Sequence, residues 1–247
     1  MRFISETIAD GVSERPFTVG DIPGVLWSPA GAAERRPLVL LAHGGGQHKR
    51  APNVLGRARR LATTCGFAAA AIDAPGCGDR PRTEEDERFI AEIRGLMAAG
   101  EPVGPQVARY NAAQAEQAVP EWRATLDALQ AEPGLDGPVG FWGVSMGSAT
   151  GVPLAAAEPR ITAAVFGLAG HETLAAAASR VTIPFLFLLQ WDDEQVPRES
   201  GLALFDAFAS REKSLHASPG RHGDMPMFEV ENSLRFLGRH LSPGDGG

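Results

Sequence analysis

Five apolar runs constrain this chain more than anything else in it: Pro37 to Ala42, Phe67 to Ile72, Val139 to Trp142, Ile161 to Leu168 and Pro184 to Gln190. A strand with one wetted face alternates polar and apolar residues, so runs this uniformly apolar are covered on both faces, as in a parallel sheet between helical layers. Helical patterns fall between and after them, at Leu55 to Thr64, Pro120 to Ala131, Gly147 to Glu158, Arg198 to Ser210 and Met227 to His240. In the second of these, Trp122, Leu126 and Leu129 share one face. A last strand is expected near Ser214 to Ala217. Ahead of the runs, Arg2 to Ile8 and Gly24 to Ser28 read as shorter strands separated by turn residues. The expectation is an α/β protein with a mostly parallel, doubly wound sheet and an antiparallel N-terminal start. No linker divides the 247 residues, so one domain over 1–247 is expected.

One stretch breaks the alternation. From Arg80 to Ala118 the chain carries Phe89, Ile90, Ile93, Leu96 and Met97 at helical spacing, interrupted by Gly95 and ended by Gly100-Glu101-Pro102. A second short helix is expected from Gln106 to Ala118. This helical insertion reads equally as packing on the sheet edge or as a lid over a site, since long insertions at the loop end of such sheets often line sites. The last residues, Ser242 to Gly247, read as a frayed tail.

Composition excludes several functions. Hydrophobic residues at 44% and charged residues at 21% supply enough apolar surface for a core. A net charge of −7 leaves no basic stripe for nucleic acid. The local run His48-Lys49-Arg50 with Arg57, Arg59 and Arg60 reads as a solvated helix face. No secretory leader and no membrane-length apolar segment are evident, which points to a cytoplasmic protein with no membrane partner. Cys65 and Cys77 form no Cys-x-x-Cys pair and read as buried or partly buried thiols. His43 and His48 lie five apart with no His-Glu-x-x-His, and the glycine run lacks a Lys-Ser/Thr ending, so neither metal nor nucleotide cofactor is expected.

The chemistry is concentrated where the run Pro138 to Trp142 feeds into Gly143-Val144-Ser145-Met146-Gly147. A serine between glycines at a strand-to-helix turn is the layout of a nucleophile elbow, in which strained backbone angles lift the hydroxyl clear of the sheet. With 29 glycines in the chain, the pattern alone could arise by accident. A serine hydroxyl also needs a base, and the base an orienting acid. After the run ending at Gln190 come Asp192 and Asp193, and after the next strand comes His222 on the turn Gly220-Arg221-His222-Gly223. The order Ser145, Asp, His222 suits a sheet hydrolase. His216, His171 and His240 are weaker candidates for the base. Glu172 is an alternative acid, and spacing does not separate Asp192 from Asp193. Glycines in His43-Gly44-Gly45-Gly46 let backbone N–H groups approach a substrate oxygen. One oxyanion donor is therefore assigned to Gly45, within one residue, and the other to the N–H of Met146.

Taken together, Gly143 to Gly147, His43 to Gly46, Asp73-Ala74-Pro75-Gly76-Cys77-Gly78, Asp193-Glu194-Gln195-Val196-Pro197 and His222-Gly223 resemble the α/β-hydrolases of the dienelactone-hydrolase-like, small serine esterase branch. The resemblance spans most of the chain and implies the α/β-hydrolase fold. An aspartate three residues before a Val-Pro pair is the usual acid of that family, so the resemblance selects Asp193. It implies a serine hydrolase acting on a small to medium ester, thioester or lactone through Ser145, His222 and Asp193. The insertion is longer than in the most compact members. An acyltransferase or cyclase using the same residues is a second reading, and a ligand-binding protein on a hydrolase scaffold a third. Trp142, Trp191, Phe89 and Met97 are candidate pocket walls, with plain core packing as the competing reading.

Overall fold

Hydrophobic runs covered on both faces become adjacent parallel strands, and the computed structural model, which describes residues 1–31 and 35–242, arranges them so. Strands β1 (Arg2–Phe3), β2 (Thr7–Ala9), β3 (Val12–Val19) and β4 (Ile22–Pro29) open the chain as an antiparallel group. Then follow β5 (Leu38–Ala42), α1 (Pro52–Arg60, closed by a π turn Leu61–Cys65), β6 (Ala68–Ile72), α2 (Glu84–Ala99) and α3 (Gly104–Gln130). The second half runs β7 (Val139–Gly143), α4 (Met146–Ala157), β8 (Ile161–Gly167), α5 (Ala175–Ala178), β9 (Phe185–Gln190), α6 (Arg198–Ala207), β10 (Lys213–Ser218) and α7 (Met227–Leu241). The sheet order is β1-β3-β4-β6-β5-β7-β8-β9-β10, with β2 beside β3. All pairings from β6 to β10 in that order are parallel, and β4 joins β6 antiparallel.

Side chains alternate across each strand and so build two cores. Leu38, Leu40, Phe141, Phe185 and Phe187 face a layer that includes α3, α4, α5 and α6, through Trp122, Leu126, Val152, Ala178 and Leu204. Val39, Leu41, Trp142, Leu186 and Leu188 face α1 and α7, through Val54, Ala58, Leu234 and Leu237. Burying a side chain such as Phe187, 1% exposed, is worth about 1.5–3 kcal/mol. Even Ala68 to Ala71, intrinsically weak strand formers, are fully buried in β6. Position between two layers overrides propensity there.

Three expectations are corrected. The N-terminal group contains a strand, β3, where turn residues were expected. Its Ser13, Glu14, Arg15 and Pro16 look like a break, yet the strand pairs with β4 along its whole length, from Val12 opposite Pro29 to Val19 opposite Ile22. The two helices expected at Gln106–Ala118 and Pro120–Ala131 are one 27-residue helix, α3, with Pro120 inside it. Proline removes one N–H from the ladder, but buried Ala115, Ala118, Trp122, Leu126 and Leu129 anchor both halves. The basic run is not wholly a solvated face: Lys49 and Arg57 are 5% and 6% exposed. The tail beyond Ser242 lies outside the described residues.

Candidate active site

The C-terminal ends of β5, β7, β9 and β10 bring four loops to one edge of the sheet, where open α/β sheets form their sites. Ser145 sits between β7 and α4 with φ 58° and ψ −122°, one of three non-glycine residues at positive φ among the described ones. Such a conformation costs about 1–3 kcal/mol and must be held by its surroundings. Ser145 N–H donates to the Gly167 carbonyl at 2.9 Å. Buried Ser148 lies one turn on; its Oγ is 2.9 Å from Gly143 O and 2.8 Å from Gly167 O, and accepts the Gly167 N–H at 2.8 Å. This hydroxyl ties strand, helix and β8 together behind the turn. The flanking glycines permit the close approach: a Cβ on Gly143 would lie 2.7 Å from Gly147 O, and one on Gly147 3.0 Å from Ala42 O.

Ser145 Oγ lies 2.9 Å from His222 Nε2, and His222 Nδ1 lies 2.8 Å from Asp193 Oδ2. An ionised carboxylate only accepts, so Nδ1 carries the imidazole proton and Nε2 is left to accept from the serine. Asp193 is held in turn, its Oδ1 accepting N–H groups of Gln195 and Val196 at 2.8 and 2.9 Å. Its side chain is 3% exposed and that of His222 13%. The two loops are also clamped through the backbone: Trp191 N–H donates to Ser218 O, Asp192 N–H to Gly220 O and His222 N–H to Glu194 Oε2.

On the β5 side, Gly45 lines a cleft of about 510 Å³ together with Ser145 and His222. Among the described residues its N–H has no acceptor. Met146 is the first residue of α4, where an N–H has no intrahelical partner, and its dipole end favours negative charge. The glycine turn is braced by groups that sequence reasoning did not assign. Ala74 N–H donates to His43 Nε2 at 3.1 Å, so the His43 proton sits on Nδ1, 2.9 Å from Gly44 O. Burial pushes the His43 imidazole below its ordinary pKa, which keeps it neutral in this role. Gln47 Oε1 accepts the Gly44 N–H at 3.3 Å. Lys49 joins buried Asp73 at 2.5 Å and Asp79 at 2.6 Å, fixing the loop after β6.

A second, narrower pocket of about 50 Å³ lies beside Ser145, walled by Val107, Ala108 and Asn111 of α3 and by Leu168, Leu174 and Val196. The insertion therefore reaches the site. A Cβ on Gly104, the first residue of α3, would overlap the Gln195 carbonyl in the Asp193 loop. Arg80 binds Glu121 of α3 through two nitrogens, at 2.5 and 2.8 Å. At the start of α2, Thr83 and Asp86 form a capping box, and Asp86 also accepts from Tyr110 and Gln114 of α3.

No protein-family model and no curated protein matches the sequence. Among solved structures, a cold-adapted esterase from an Arctic intertidal metagenomic library is 34% identical, with 98% of this chain and 100% of that chain covered at a TM-score of 0.78. The chain belongs to the α/β-hydrolase superfamily. Within it, this hydrolase falls with the carboxylic ester hydrolases. Two more distant structures share the fold. An acetyl xylan esterase from Paenibacillus sp. R4 is 17% identical over 97% of this chain and 88% of that one, at a TM-score of 0.66. Dienelactone hydrolase from Anabaena variabilis is 20% identical over 96% and 98%, at 0.64.

The remaining candidates lie apart from the serine in this hydrolase. Asp192 accepts the Gly220 N–H, and Glu172 is bound by the Ser200 hydroxyl. His216 pairs with Glu229 and His240 with Glu212. Trp142 is core, Phe89 stacks on Tyr110, Met97 is exposed and Trp191 stacks under Arg198, so none of the four walls either pocket beside Ser145. Cys65 and Cys77 are half-buried free thiols, raised in pKa by burial. Among the described residues no group of three or more His, Cys, Asp or Glu side chains is arranged to hold a metal, and no helix is long and apolar enough to cross a membrane.

Proposed function

We propose that this hydrolase cleaves its ester by acyl transfer to Ser145 followed by hydrolysis of the acyl-enzyme. The observation that carries the reading is the continuous line from Ser145 Oγ through His222 to Asp193, with links of 2.9 and 2.8 Å, at a strained turn beside a helix N-terminus. His222 Nε2 takes the seryl proton as Oγ attacks the ester carbonyl, and Asp193 stabilises the imidazolium that forms. The N–H groups of Gly45 and Met146 receive the oxyanion; one such donor is worth about 2.7–4 kcal/mol in the transition state. His222 then protonates the departing alcohol, and water, deprotonated by the same ring, releases the acid.

The two pockets suit an ester with one small substituent and one larger one, in line with the small to medium esters the sequence suggests. The insertion acts as a fixed wall of the narrow pocket rather than a swinging lid, a reading supported by its ties through Arg80, Asp86 and Gly104. The wide cleft gives water access for deacylation, which favours hydrolysis over acyl transfer to another acceptor. The test is turnover of 4-nitrophenyl acetate by Ser145→Ala and His222→Ala. Both should lose at least about 10³-fold in kcat, and wild-type rates in both would refute the mechanism.

A further inference from the structure

Arg57 projects from α1 with only 6% of its surface exposed, yet among the described residues no carboxylate pairs with it. Its guanidinium lies over the ring of Trp142 at 4.8 Å, and its Nε is sealed from solvent without an acceptor. Trp142 Nε1 is in the same condition. Both groups are donors, so this corner of the molecule is complementary to an acceptor and not to a cation. Burial pulls the guanidinium pKa down to about 10, which still leaves it charged at neutral pH. A lone buried cation is costly, and stacking on an indole returns only part of that cost. The chain has 30 acidic residues to neutralise it and places none there.

Its position gives the charge a use. Arg57 lines the wide cleft that also holds Ser145, His222 and Gly45. That cleft contains two arginines and no Asp or Glu, on a protein whose net charge is −7. Arg60, the second arginine, faces Glu231 at 3.6 Å, so the uncompensated cation is Arg57.

We propose that Arg57 binds a carboxylate carried by the ester substrate, so that half-esters of dicarboxylic acids or esters of hydroxy acids are preferred over neutral esters. A planar guanidinium is matched to a carboxylate in geometry as well as charge. The inference rests on Ser145 being the nucleophile, because it places the carboxylate in the cleft that serine opens into.

Two matched pairs distinguish the side of the ester that carries the acid. Mono-4-nitrophenyl glutarate against its methyl ester places it on the acyl side, and 4-acetoxybenzoate against methyl 4-acetoxybenzoate on the alcohol side. The wild-type enzyme should favour the acid member of one pair by about tenfold or more in kcat/KM, expressed mainly in KM. Arg57→Gln should abolish that ratio and Arg57→Lys should retain part of it. A wild type that prefers the neutral member of both pairs, or a ratio that Arg57→Gln leaves within about threefold, overturns the proposal, because a purely structural arginine moves both members alike. If the wild type turns over no member of either pair, the hydrolase mechanism itself has failed. Should Arg57→Gln not fold, inhibition of neutral-ester turnover by glutarate and by glutaramide decides. Competitive inhibition by the acid alone supports the subsite; equal inhibition or none overturns it.

Discussion

Asp193 is the residue whose role is most sharply testable, because its neighbour Asp192 differs from it only in what it touches. Asp193→Asn keeps the shape but weakens the hold on the Nδ1–H tautomer, and is expected to lower kcat on 4-nitrophenyl acetate by about 10⁴-fold. Asp192→Asn and Glu172→Gln alter groups bound to Gly220 and Ser200, and should stay within a few-fold of wild type in the same assay. Ser148→Ala would leave the Gly167 N–H buried without its acceptor. The expected loss is about 1–3 kcal/mol, read as a lower urea midpoint at unchanged slope. Sequence separated these residues unevenly. Ser145 and His222 stand out because glycines flank them, whereas Asp192 and Asp193 are the same side chain one step apart, and only family resemblance chose between them. His43 heads the glycine motif and Lys49 lies in the basic run, yet no pattern reveals what they or Gln47 do; their work is to bond loops 24 to 31 residues away or to brace a three-residue turn.

At the scale of elements, the parallel strands were legible because burial on both faces leaves an unbroken apolar run. β3 was not, because polar Ser13, Glu14 and Arg15 follow one another across both faces of an antiparallel ribbon and Pro16 resembles a stop. α3 was read as two helices for a related reason: a proline is a local signal, and the anchoring of both halves on the sheet is not. The consequence of that fusion reaches the site. α3 begins against the Gln195 carbonyl, and Gln195 N–H is one of the two that hold Asp193. Gly104→Ala should therefore push the acid loop out of place, lowering kcat by about 10- to 100-fold with little change in the thermal midpoint. Equal activity would mean that the helix start yields instead. Within α4, a Cβ on Gly151 would overlap the Phe141 ring. Gly151→Ala is expected to cost about 1–3 kcal/mol in urea unfolding, since neither partner has room to move.

At the scale of the whole molecule, part of the acid sensitivity comes from a group remote from the chemistry, Glu158. Hydrogen bonds from Arg160 lead the causes that hold the Glu158 carboxyl down at about 2, with Arg123 adding to them, against an unfolded value near 4.5. A depressed carboxylate stabilises the fold fully above about pH 4.5, and that stabilisation fades as pH falls toward 2. Glu158→Gln should lower the thermal midpoint at neutral pH and flatten its decline between about pH 4.5 and 2. His43 acts over a different window: its lowered pKa means the unfolded chain binds the proton more readily, so stability falls as pH drops below about 6.5. The backbone clamp between the Asp193 and His222 loops has a temporal consequence as well. Acid and base ride on one interlocked unit at the β9–β10 edge, so when that edge frays the serine loses both at once. Heat should thus silence the enzyme as a switch turns off, with no interval in which a disoriented histidine still works at a reduced rate.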